Sequence, residues 1–83
     1  MKYRSRSDII TMILEAASAG ATKTKIMYKA YLSYAQLAEY IKHLQQNDLL
    51  AYEEGTQLYR PTEKGLKFLN LSDDLNEMVT ETR

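Results

Sequence analysis

The sequence contains no cysteine and a single histidine, His43. Without cysteine, neither a disulfide framework nor a thiolate metal site can form, and one histidine alone does not make a metal site. We therefore expect no metal ion and no other cofactor. A chain of 83 residues is near the lower size limit for a self-sufficient core, and small domains without cross-links often gain stability by packing against a second copy. The missing cysteines are thus a first indication of a homodimer.

Long apolar runs are also absent. No stretch approaches the roughly 20 apolar residues needed to cross a bilayer, and the basic segment 1–6 is not followed by the apolar region of a signal peptide. We therefore predict a cytoplasmic protein. The sequence has no glycine-rich phosphate loop, and Asp73 and Asp74 lie in a solvated acidic run. These absences predict a protein that is not an enzyme and has no small-molecule ligand.

Net charge is absent overall, with 11 basic and 11 acidic residues. The charges are unevenly distributed, however. Residues 1–47 hold seven Lys or Arg against three acids, a formal charge of +4, whereas residues 48–83 hold four against eight, a formal charge of −4. This asymmetry is compatible with one surface that faces an anion and an acidic surface elsewhere.

Apolar residues at helical spacing predict three helices in the first half of the chain. The first runs over 8–19, capped by Ser7 or Asp8 and stopped by Gly20. Thr22 can cap a second, shorter helix that extends to about Lys29.

The predicted third helix begins after Ser33, with Leu37, Ile41 and Leu44 as its buried stripe, and it stops at Asn47. Only about three or four residues separate it from the second helix, which is the spacing of a helix-turn-helix.

The pattern after Asn47 changes to that of a β-hairpin. Aromatic and aliphatic residues in 49–53 and 57–60 flank Gly55, and Pro61 closes the second strand because proline cannot donate to a strand ladder. Thr62 and its acidic neighbour Glu63 then open a final helix. Gly65, early in that helix, indicates close packing.

The final helix carries an apolar stripe that a domain of this size cannot cover along its whole length. We predict that the stripe forms the dimer interface, with a coiled-coil character. Its members are Phe68, Leu71, Leu75 and Met78. The alternative is that the helix folds back over its own domain.

This order of elements predicts an α+β, mostly helical fold, a winged helix-turn-helix of three helices, a β-hairpin wing and a C-terminal helix. We expect residues 1–65 to form the winged helix-turn-helix domain and residues 66–83 the dimerisation helix.

The sequence also resembles a family, the small archaeal winged helix-turn-helix DNA-binding proteins, of transcriptional-regulator or chromatin type, that dimerise through a C-terminal helix. The resemblance covers roughly residues 4–75. The segments that carry it are 4–10 and 13–17 in the first helix, 22–28 in the second, 32–34 with Tyr40 in the third, and 59–65 before the last. The sequence departs from the family at Asn47-Asp48, where relatives more often carry glycine, and at the hairpin tip, which is acidic at Glu53 and Glu54.

In a helix-turn-helix the second of the two helices enters the major groove. We therefore expect 33–46 to contact bases, with Gln36 pairing to adenine and Glu39 accepting from cytosine, while basic residues contact phosphates. The acidic hairpin tip shifts the expected contacts away from the wing. The candidate DNA-binding residues are Arg4, Arg6, Lys23, Lys25, Ser33, Tyr34, Gln36, Glu39, Lys42 and His43.

Four tyrosines cluster around the predicted turn. We interpret Tyr28, Tyr31, Tyr34 and Tyr40 mainly as core residues with the hydroxyl at the rim, with Tyr34 also a DNA-contact candidate. The predicted function is a DNA-binding transcriptional regulator, nucleoid-associated and homodimeric. An architectural chromatin protein or a winged-helix module for protein interactions remains the alternative.

Overall fold

The computed structural model describes residues 4–71, in three helices, a two-stranded hairpin and a fourth helical segment. Leu75 and Met78, two of the four predicted dimer residues, lie outside this range. The elements are α1 Arg6–Ala17, α2 Lys23–Ala30, α3 Tyr34–Gln46, β1 Leu50–Glu53 and β2 Leu58–Pro61, and a helical segment, α4, over 63–71. The predicted α+β, mostly helical winged helix-turn-helix architecture is confirmed. None of the helices in 4–71 has the length and apolarity that crossing a membrane requires.

The predicted cap of the first helix is wrong. Ser5, not Ser7 or Asp8, is the cap: its hydroxyl accepts from the Asp8 amide at 3.1 Å, and the Asp8 carboxylate accepts from the Ser5 amide at 3.1 Å. This reciprocal pair satisfies two donors that the first turn leaves free, so α1 starts two residues earlier than predicted, at Arg6. The helix also ends earlier, at Ala17, and Gly20 adopts a φ of +90°.

The predicted caps of the next two helices are confirmed. Thr22 accepts from the Lys25 amide at 3.2 Å, and Ser33 accepts from the Gln36 amide at 3.1 Å. Such side chains replace the carbonyl partner that an amide in the first turn lacks.

One apolar cluster joins all the elements. Its fully buried large side chains come from α1, α2 and α3, and Leu50 from β1 and Leu69 from α4 complete it. Among residues 4–71, no polar or charged side chain is buried. The fully buried large side chains are Ile13, Leu14, Ile26, Leu37 and Leu44.

The wing is tied to the helices by a bridge that the sequence pattern did not predict. Ala21, between α1 and α2, donates to the Tyr59 carbonyl at 3.1 Å and accepts from the Tyr59 amide at 2.8 Å. β2 thus pairs with β1 on one side and with Ala21 on the other. This pairing holds the hairpin in a fixed orientation to α1 and α2.

The start of α4 is fastened to the carboxyl end of α3. The Thr62 hydroxyl donates to the Asp48 carbonyl at 2.6 Å, and the Lys64 ammonium donates to the Asn47 carbonyl at 3.0 Å. Gly65 is buried at this crossing, and a Cβ there would collide with the Leu49 carbonyl. The close packing predicted for Gly65 is therefore confirmed.

We predict that Gly65→Ala destabilises the fold by about 1–3 kcal/mol, the usual cost of overpacking, even though alanine favours helix. Denaturant unfolding checks this. Gly55→Ala is the matched control, because a Cβ at Gly55 has nothing within 4 Å. Equal stability of the two variants would contradict the role of this crossing.

The carboxyl end of α3 suggests a stabilising substitution. Asp48 has a φ of +60°, with its amide bonded to the Gln45 carbonyl and the Leu49 amide bonded to the Leu44 carbonyl. This is the bonding pattern in which glycine commonly ends a helix.

We predict that Asp48→Gly stabilises the protein by about 0.5–1 kcal/mol, because glycine adopts this conformation without steric cost and a carboxylate leaves the negative end of α3. A thermal midpoint below that of the parent protein would contradict it. Asp48→Asn separates the contributions, since asparagine removes only the charge.

Candidate nucleic-acid interface

The outer face of α3 is the surface that the sequence predicts for base contacts. Leu37, Ile41 and Leu44 are buried as predicted. The helical repeat places Glu39 and Lys42 on the opposite side, and both are exposed. α3 therefore presents a polar, nearly neutral face.

The amino end of α3 is occupied by a reciprocal hydrogen-bond pair. Besides the bond from the Gln36 amide to the Ser33 hydroxyl, the Gln36 side-chain oxygen accepts from the Ser33 amide at 3.0 Å. Pairing of glutamine to adenine uses both the side-chain oxygen and the NH₂ group. In this conformation Gln36 offers its NH₂ group freely, while its oxygen is already engaged in capping.

Lys23 and Tyr34 bring the amino ends of α2 and α3 together. The Lys23 ammonium lies 3.4 Å from the Tyr34 hydroxyl and 4.9 Å from the centre of its ring. Lys25, two residues further along α2, is exposed. The contacts of Lys23 place its ammonium group beside the first turn of α3.

The sequence around this junction is free of acidic residues. No Asp or Glu occurs between Glu15 and Glu39, whereas Lys23, Lys25 and Lys29 all fall within this stretch. Within the first half of the chain, which has a formal charge of +4, basic residues without acidic neighbours in sequence are therefore concentrated in α2.

Arg4 has partners other than those expected of a phosphate-binding residue. Its guanidinium donates to the Ala30 carbonyl and, at 3.0 Å, to the Tyr31 carbonyl, and it lies 3.3 Å from the Met12 sulfur. A cation at the carboxyl end of α2 satisfies carbonyls that the helix leaves free and complements the helix dipole. Sequence reasoning missed this role because the contact spans 26 residues of chain.

A second group of candidates, Arg6, Glu39 and His43, lies between α1 and α3. Together with Ile10, Tyr40, Leu44 and Asn47 they line an open cavity of about 370 Å³. Glu39 and His43, four residues apart on α3, thus lie near the amino end of α1 and its Arg6. The predicted candidates divide into a group at the α2–α3 junction and a group beside α1.

The core interpretation of the clustered tyrosines is wrong for three of the four. Tyr28, Tyr31 and Tyr34 are 70%, 78% and 64% exposed, and only Tyr40 packs against the core cluster. The reason is local geometry. Their spacing of three places them around the outer side of the turn, and Tyr31 leaves α2 in the left-handed conformation, with φ +55° and ψ +49°.

The acidic hairpin tip is partly compensated. The Glu53 carboxylate accepts from the Thr56 hydroxyl at 2.5 Å and pairs with Arg60 at 3.3 Å. The Thr56 hydrogen bond, and then the Arg60 contact, lower the pKa of Glu53 below its ordinary value. Glu53 therefore stays ionised and directed within the wing.

Comparison with known proteins agrees with this architecture. A family model described as winged helix-turn-helix matches residues 3–80. The structure of Lactococcus lactis ZitR, wild type, in complex with DNA is similar with a TM-score of 0.73 at 22% sequence identity. The similarity covers 99% of this chain and 60% of the ZitR chain, so this chain spans less than two thirds of that protein. No curated protein matches the sequence.

Proposed function

Because this chain belongs to the winged helix-turn-helix family, we propose that it binds double-stranded DNA as a non-enzymatic transcriptional regulator, with α3 in the major groove. The observation that carries this proposal is the surface at the α2–α3 junction, where lysines and exposed tyrosines adjoin the amino end of a polar helix. The similar fold of ZitR, whose structure holds DNA, supports it. A location at the nucleoid follows from the same proposal.

Phosphate contacts supply most of the affinity in such a mode of binding. We assign them to Lys23, Lys25 and Lys42, with Arg6 approaching from the start of α1. Arg4 leaves the set of phosphate ligands, because its guanidinium is engaged by the carbonyls that end α2.

Base contacts fall to the polar residues of α3. Ser33 keeps its hydroxyl proton free to donate, and the NH₂ group of Gln36 can donate to a purine acceptor in the major groove. Glu39 and His43 lie on the side of α3 that adjoins α1, so we expect any contact that they make with DNA to be on that side of the interface. The wing takes no part in this proposal, since its tip is acidic.

A second candidate function is an architectural chromatin protein. The observation that favours it is the engagement of the Gln36 oxygen in capping, which occupies one of the two lone pairs of the atom that would accept from adenine. A helix face that donates hydrogen bonds but distinguishes the bases weakly is suited to binding that depends on the DNA backbone. Selection of bound sequences from a random duplex pool separates the two functions, since a sharp motif indicates a regulator and a flat result an architectural protein.

The homodimer is part of the same proposal, with residues 66–83 as the dimerisation helix. Leu71 on α4 is 64% exposed, and Phe68, three residues earlier, is half-buried against the core. An apolar side chain so exposed beside a core residue is suited to packing against a second copy. Two copies would present two α3 helices to successive turns of the major groove.

We predict that the protein binds a fluorescent duplex with an affinity that falls steeply between 50 and 200 mM salt, as counterion release requires. Lys25→Ala should reduce the magnitude of the salt slope by about one. Lys67→Ala is the control, because this lysine lies on α4, outside the proposed interface, and should leave the slope unchanged. No binding to any duplex at low salt would overturn the proposed function.

We also predict that Leu71→Glu weakens self-association by tenfold or more, since a carboxylate would lose its hydration at the interface. Sedimentation equilibrium measures this. Asn70→Glu introduces the same charge one residue away, at an exposed position that the helical repeat turns away from the stripe, and should leave the association constant unchanged. A monomeric parent protein would refute the dimer.

A further inference from the structure

Tyr31 is difficult to explain by folding alone. Its backbone lies in the left-handed region, where glycine and asparagine are favoured and a bulky side chain is strained. Its ring is 78% exposed and contributes nothing to the core. Neither the backbone conformation nor packing therefore requires a tyrosine at this position.

Arg4 holds this strained residue in place. Its guanidinium donates to the carbonyls of Ala30 and Tyr31, the second at 3.0 Å. The Tyr31 amide is bonded to the Tyr28 carbonyl at 3.3 Å, and the following Leu32 amide to the Met27 carbonyl at 3.2 Å. The peptide groups on both sides of Tyr31 are thus fixed, which fixes the direction of its Cα–Cβ bond.

The surface around Tyr31 has a definite chemistry. Tyr28, Tyr31 and Tyr34, which we call the tyrosine patch, are all well exposed, and the Lys23 ammonium lies against the ring of Tyr34. The stretch between Glu15 and Glu39, which includes all three tyrosines, contains no Asp or Glu. Phenolic donors beside lysines complement an anion rich in acceptors, such as the sugar–phosphate backbone of DNA.

We propose that Tyr31 donates a hydrogen bond from its hydroxyl to a backbone phosphate of bound DNA, and that Arg4 is the positioning residue that holds Tyr31 for this contact. The inference rests on the proposed function. Tyr31 stands three residues before Tyr34, the first residue of α3, so it meets the backbone beside the groove that α3 enters. The contact fixes the position of α3 without reading sequence.

The test exploits opposite effects on stability and binding. Tyr31→Asn and Tyr31→Gly should raise the thermal midpoint, because both residues tolerate the left-handed conformation, and should weaken duplex binding about tenfold, the typical effect of losing a hydrogen bond to a charged group. Asp48→Gly is the matched control. It places glycine at the left-handed residue that ends α3 and should raise the midpoint without weakening binding.

Tyr31→Phe isolates the hydroxyl. It should weaken binding to a similar extent with an unchanged salt slope, because a neutral donor releases no counterion. Full affinity in Tyr31→Phe together with a loss in Tyr31→Asn would assign the contact to the ring and overturn the proposed hydrogen bond. Full affinity in both would overturn a role of Tyr31 in binding. A parent protein that binds no duplex would instead refute the proposed function itself.

A double-mutant cycle tests the positioning role of Arg4. Arg4→Met should weaken binding in the parent protein, leave the salt slope unchanged, and cause no further loss when Tyr31 is already asparagine. Arg4→Lys, which retains the charge but not the paired donors, should behave as Arg4→Met. A slope reduced by about one in Arg4→Met, with or without the Tyr31 substitution, would show that Arg4 binds phosphate directly and overturn the positioning role.

Discussion

The carbonyl groups at the carboxyl ends of α2 and α3 have no partners within their own helices, and the groups that satisfy them determine the rest of the structure. At the end of α3, Thr62 and Lys64 donate to the carbonyls of Asp48 and Asn47, which fastens α4 to the helix-turn-helix. At the end of α2, Arg4 does the same and draws the chain before α1 across to the turn. At both helix ends, free carbonyl groups are therefore satisfied by side chains from distant parts of the chain, and these hydrogen bonds are tertiary contacts.

Features that depend on a few neighbouring residues could be predicted from the sequence. Thr22 and Ser33 cap their helices because a hydroxyl can bond an amide three residues ahead, and the stripe from Leu37 to Leu44 is buried because its spacing matches the helical repeat. The cap of α1 was misplaced because Ser5 and Ser7 are equally good caps in isolation. What favours Ser5 is the carboxylate of Asp8 three residues later.

Features that depend on chain segments distant in sequence could not be predicted. The Ala21–Tyr59 bridge and the reach of Arg4 to Ala30 each join parts of the chain that share no local pattern. The exposure of Tyr31 was missed for a related reason. Its spacing from Tyr28 and Tyr34 does not distinguish a core position from an outer one, because the path of the chain after α2 depends on the left-handed conformation of Tyr31. The candidate site was thus predicted by residue type, whereas its division into two groups was not.

Tyr31 and Asp48 can be compared directly, because they share a backbone conformation and differ in side chain. Both end a helix in the left-handed conformation, with φ values of +55° and +60°, where glycine is the residue most often found. Asp48 directs its backbone to Thr62, a bond that any residue could make. Tyr31 directs a large ring into solvent beside Lys23 and the start of α3, where its exposure carries no benefit for the fold. Aspartate is among the residues that adopt this conformation with little strain, whereas a bulky tyrosine is not. The residue type at Asp48 therefore needs no explanation beyond the fold, and the residue type at Tyr31 is what the proposed phosphate contact would explain.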